Sequence, residues 1–168
     1  MPKRQKEPVT PTFEVYPAAS EPIVLPCSHE DQERHLRAFI KAFVEPSVQP
    51  RWLEFLIDRR SEWKGTPRSA SEVKKLWKAD KVMRMFAAQR QYCVRIPNPE
   101  RTEACYSAMF GKSVGVYFGM HSPPFRITAW DADRRFSWEV ESAILSFKAG
   151  KLALFFCHDG GVWRCERE

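Results

Sequence analysis

Six consecutive apolar residues, Leu152-Ala153-Leu154-Phe155-Phe156-Cys157, stand between two turn signals, Ala149-Gly150 and Asp159-Gly160. A strand with apolar side chains on both faces must be covered on both, so this run demands a central place in a sheet. With Ala143 to Lys148 before it and Val162 to Arg167 after it, the spacing predicts a three-stranded antiparallel meander. The last of these alternates and carries charge, as an edge strand does.

Upstream the period is helical. Ser28 with Asp31 three residues on forms a capping box, and Leu36, Phe39, Ile40, Phe43 and Val44 make one apolar stripe that Glu45-Pro46 ends. Pro50 opens a second helix running to about Trp63. A third begins at Ser69 and buries Val73, Leu76 and Trp77; the stripe shifts phase after Asp80, which predicts a kink or a short fourth helix to about Gln91. After Tyr92 the period becomes two, giving strand expectations at Cys93 to Ile96, Ala104 to Phe110, Val114 to Gly119 and Phe125 to Trp130. Residues 136–142 read as strand or helix.

The fold expected is therefore α+β, with three or four N-terminal helices packed on a C-terminal antiparallel sheet that ends in the meander. Residues 1–26, holding six of the thirteen prolines, read as an extended or flexible arm; 27–168 read as a single domain, helical over 28–91 and sheet over 92–168. No apolar run reaches the ~18 residues of a membrane span, so no membrane partner is expected. Five cysteines without a framework spacing predict a reduced, cytoplasmic protein.

The formal charge of +6 is local. Arg59 to Arg95 holds eleven basic and three acidic residues, +8 for that window against −2 for the rest. Lys74, Lys78 and Lys81 repeat at helical spacing opposite the apolar stripe, and Arg59, Arg60, Lys64, Arg68 and Arg84 accompany them, so these eight are the candidate partner-binding residues. They fit a non-catalytic module that binds a partner protein through this basic helical face, or through an aromatic sheet edge with Trp130, Trp138 and Trp163. The alternatives are a nucleic-acid binder using 59–95 and a metal-dependent hydrolase or nuclease.

Chemistry-bearing motifs are sparse. Cys157-His158 sit side by side on a strand, where alternation turns them to opposite faces. Cys27, His29, Cys157, His158 and Cys165 lack zinc spacing, and a two-residue turn at Asp159-Gly160 sets Cys165 opposite Leu154. The remaining histidines, His35 and His121, join no arrangement. Gly111-Lys112-Ser113 has Tyr106 where a phosphate loop requires glycine, so it reads as a turn between strands. Asp131, Asp133, Glu139 and Glu141 could gather around Mg²⁺, although acidic turn residues are the commoner reading. No catalytic residue, metal or cofactor is assigned.

Arg51-Trp52-Leu53-Glu54-Phe55-Leu56, Ile96-Pro97, Cys105-Tyr106 and Gly150-Lys151-Leu152-Ala153-Leu154-Phe155 are ordered landmarks. In these the chain resembles a group of small uncharacterised bacterial proteins. The resemblance covers residues 51–158 thinly, implies a bacterial cytoplasmic protein with a sheet in its C-terminal half, and carries no activity.

Overall fold

In chain order the elements are β1 (Leu25–Pro26), α1 (His29–Phe43), α2 (Gln49–Leu53), which continues as a π-helical turn over Glu54–Asp58, and α3 (Ala70–Arg84). Then come β2 (Cys93–Arg95), a 3₁₀ turn at Asn98–Glu100, α4 (Glu103–Phe110), β3 (Val114–Gly119), β4 (Phe125–Thr128), α5 (Ala129–Phe136), β5 (Ala143–Lys148), β6 (Leu152–Phe156) and β7 (Val162–Glu166). The computed structural model describes residues 24–60, 70–119, 122–136 and 142–168. Most of the expected arm, together with Lys64, Arg68, His121, Trp138, Glu139 and Glu141, lies outside these residues, as do the side chains of Val73, Leu76 and Trp77.

The seven strands among the described residues pair antiparallel in one sheet, in the order β1-β4-β3-β5-β6-β7-β2. β6 lies inside it, and its alternate residues serve two cores. Ala153 and Phe155 join α1, Trp52, Leu56 and Met83 on one face; Leu154 and Phe156 join Tyr106 and Phe110 of α4 and Ala129 and Ala132 of α5 on the other. The side chain of Phe155 is fully buried and stacks on Phe86 at 4.0 Å. The architecture is α+β, with helices on both sides of the sheet.

Local chemistry explains the well-marked elements. Ser28 Oγ accepts the Asp31 N–H at 3.0 Å, and the stripe Leu36, Phe39, Ile40, Phe43 is buried. Gly150, with φ of +70°, makes the β5–β6 turn.

Four expectations require correction. The helices are not all N-terminal: 104–110 is helix, because Thr102 Oγ1 accepts the Cys105 N–H and Gly111, at φ +61°, ends the helix rather than linking two strands. The strand expected to reach Trp130 stops at Thr128, whose Oγ1 accepts the Asp131 N–H and opens α5. α3 passes Asp80 unbroken to Arg84, tied there by the Asp80–Arg84 ion pair at 2.7 Å; no helix follows to Gln91, since Ala88 instead bridges to Val44. Finally, the meander does not end the sheet. β5, β6 and β7 pair in sequence, but β2 adds outside β7, so β7 is no edge. The β6–β7 connection occupies residues 157–161 between Phe156 and Val162, and Cys165 therefore faces Ala153 and Cys93, not Leu154.

A polar cluster lies between α1 and the sheet. His35 is 6% exposed with Nδ1 2.7 Å from Ser146 Oγ, and Gln32 Nε2 donates to the Tyr117 carbonyl at 2.9 Å. Burial, followed by the charges of Arg34 and Arg126, holds the His35 pKa below its ordinary value, while Asp31 partly opposes them. The unfolded chain takes up this proton near pH ~6.5 and the folded protein only lower. The neutral-His35 contribution is thus complete above about pH 6.5 and is lost as pH falls through that window. Denaturant midpoints measured between pH 8 and 5 should fall less steeply in His35→Gln than in wild type. Phe155→Ala should cost about 3–5 kcal/mol by denaturant melt, since truncating a buried ring loses transfer energy and leaves a cavity.

Candidate functional site: a groove and a cleft at the β2 edge

At one edge of the sheet β2 lies beside apolar side chains. Glu166 donates its N–H to the Tyr92 carbonyl and Ile96 donates to the Val162 carbonyl, so 92/166 and 96/162 are hydrogen-bonded pairs, and by alternation 94/164 is one too. The backbone groups of Cys93 and Arg95 are then directed away from β7. The Cys93 N–H is taken by Gln89; the outward set is the Cys93 carbonyl with the N–H and carbonyl of Arg95.

On the α4 side of this edge lies a groove of about 690 Å³. Val94, Ile96 and Pro97 line it from the β2 segment, and Cys105, Ala108 and Met109 from α4. Val94 is 68% exposed, and Arg95, Glu100, Arg164 and Glu166 bring two charges of each sign to the lining.

A second cavity, about 750 Å³, opens beside it and shares Arg95. Its lining includes Trp130 and an ion-pair network. Arg101 grips Asp133 through Nε at 2.9 Å and Nη2 at 2.6 Å, and also donates to the Gly160 carbonyl; the Tyr106 hydroxyl donates to the same carboxylate. The hydrogen bond to Asp133 raises the Arg101 pKa, and burial pushes the Tyr106 phenol up, so both stay protonated. Arg134 holds Asp131 at 2.9 Å. This network ties the β2–α4 loop to α5 and to the β6–β7 turn, and so sets the shape of both cavities.

The sequence-expected residues are dispersed. Lys74, Lys78 and Lys81 lie exposed on α3, but Arg84 is paired with Asp80. Arg59 lies 3.7 Å from Glu54 and over the Phe55 ring. Arg60 turns inward, donating to Gln32 Oε1 and covering the Phe118 ring at 5.1 Å, with its pKa lowered by burial. Trp130 lines the cleft, whereas Trp163 packs edge-on against Phe86 at 6.2 Å.

Cys157 and His158 do approach, Sγ to Nδ1 at 3.6 Å, because β6 ends at Phe156 and strand alternation no longer applies beyond it. Burial raises the Cys157 pKa, so the pair holds a thiol and not an activated thiolate. Asp131 and Asp133 are each committed to an arginine, and among the described residues no three His, Cys, Asp or Glu are grouped to hold a metal. No helix among the described residues is long and apolar enough to cross a membrane.

The groove was missed because β2 acquires its partner about 70 residues later, a non-local pairing that carries no local signal. Thr102 ahead of Glu103 was the readable sign that its other wall is a helix.

The chain matches no protein-family model, no curated protein and no solved structure. Asp133→Asn should destabilise the fold by about 3 kcal/mol by denaturant melt, because it strips a nearly buried guanidinium of its counter-charge. Replacing Lys74, Lys78 and Lys81 together by glutamine should leave stability within ~0.5 kcal/mol of wild type.

Proposed function

We propose that the protein is a non-catalytic interaction module that receives an extended, apolar segment of a partner protein as an added strand on β2. The observation that carries this reading is the exposed Val94 on an edge strand beside an apolar groove. Strand addition supplies main-chain hydrogen bonds from the edge, and the groove accepts alternate side chains of the incoming segment. An exposed edge next to apolar surface is otherwise a liability that proteins blunt with charge, proline or cover. The basic segment 59–95 has less behind it, since its Arg59, Arg60 and Arg84 are already engaged.

The test is selection of a random decapeptide phage library on the full-length protein. Enriched peptides should show apolar alternation and should lose at least about tenfold in binding to Val94→Glu, whose melting temperature stays near wild type. The Lys74/Lys78/Lys81 glutamine variant should bind them as wild type does. Absence of enrichment, or equal binding by Val94→Glu, would overturn the reading.

A further inference from the structure

The groove and the cleft meet at one side chain, and its environment differs from that of its neighbours. In the cleft, Arg101 is satisfied by two short bonds to Asp133 and one to the Gly160 carbonyl, and Arg134 holds Asp131 at 2.9 Å. Among the described residues Arg95 has only Asp159, at 3.6 Å, beyond hydrogen-bond distance, and both side chains are about half exposed (56% and 50%). Asp159 is otherwise occupied, its Oδ1 accepting the Gly161 N–H at 2.8 Å, which lowers its pKa.

The Arg95 guanidinium lies close over Gly161: a Cβ there would fall 2.5 Å from Nη2 and 2.9 Å from Cζ. A guanidinium with donors to spare is the preferred receptor for a carboxylate, which its planar fork can bind through two parallel bonds. A doubly charged phosphate fits less well, because Asp159 and Asp133 line the same cleft.

Resting on the reading above, we infer that the segment added to β2 presents a carboxylate to Arg95. Val94 and Arg95 are successive and leave the strand on opposite faces, while Arg95 reaches into both cavities. The residue paired with Val94 therefore lies on the groove side, and its neighbour leaves the added strand on the face from which Arg95 departs. The recognition signature is therefore an acidic residue adjacent in sequence to an apolar one. The carboxylate comes from an Asp or Glu side chain or from a chain end laid against the cleft.

Two decapeptide phage libraries test this, one fused through its C-terminus and one displaying a free C-terminus, each selected on wild type, Arg95→Gln, Gly161→Ala and Val94→Glu. On wild type, Asp or Glu should be enriched next to an apolar position. In Arg95→Gln that acidic preference should fall about tenfold while the apolar selection persists. Gly161→Ala should weaken the same preference by displacing the guanidinium without removing its charge. Acidic enrichment confined to the fused library assigns the side chain; selection of free-terminus peptides without internal acids assigns the chain end. Absence on wild type of both an acidic preference and a free-terminus preference, or a preference unchanged in Arg95→Gln with a wild-type melt, overturns the carboxylate while leaving strand addition intact. Equal selection on Val94→Glu overturns strand addition itself.

Discussion

The structure depends on covering β6 twice. One strand of apolar residues on both faces forces helices onto both sides of the sheet, and the two cores meet only through that sheet. The first face is filled early in the chain by the α1 stripe and an aromatic cluster in which Phe155 contacts Phe39, Trp52 and Phe86. The second face falls to two eight-residue helices, α4 and α5. Helices this short hold little structure alone, so tertiary contacts and the Thr102 and Thr128 hydroxyls at their starts must fix them. The groove exists because α4 covers the sheet only as far as β7 and leaves β2 beside it.

What the sequence made legible was local. The capping box at Ser28 and the spacing of Leu36, Phe39, Ile40 and Phe43 lie within one helix, and β5 to β7 follow one another with short connections. The helix at Glu103–Phe110 was hidden by its own role. It buries Tyr106 and Phe110 on the core side and sets Ala108 and Met109 along the groove, so apolar residues surround it and no stripe stands out. β2 was visible as a strand, but its place beside β7 depends on a pairing that no window of sequence contains. Of the candidate residues, the charge count marked a basic window, yet it could not show that Arg60 would turn inward to Gln32 and Phe118.

Electrostatics in this fold is mostly architectural. The Arg101–Asp133 pair, with Tyr106 and the Gly160 carbonyl, joins the β2–α4 loop and the β6–β7 turn to α4 and α5. A nearly buried pair of this kind costs desolvation and returns it through several good bonds, which favours geometry over net stability. The rim is correspondingly shaped before any partner arrives, and preformed surfaces lose less entropy on binding.

The register of β2 against β7 also has a meaning in time. Most of the groove's lining is written in residues 92–109 and the rest in Arg164 and Glu166, so the first part lies in the chain long before the second. A nascent chain emerging N-terminus first therefore carries an incomplete groove through the synthesis of β3 to β6. The edge becomes competent only when the last strand docks. Occupancy of the groove would then report on a finished sheet, because removing β7 takes away Arg164 and Glu166 and the strand on which β2 pairs.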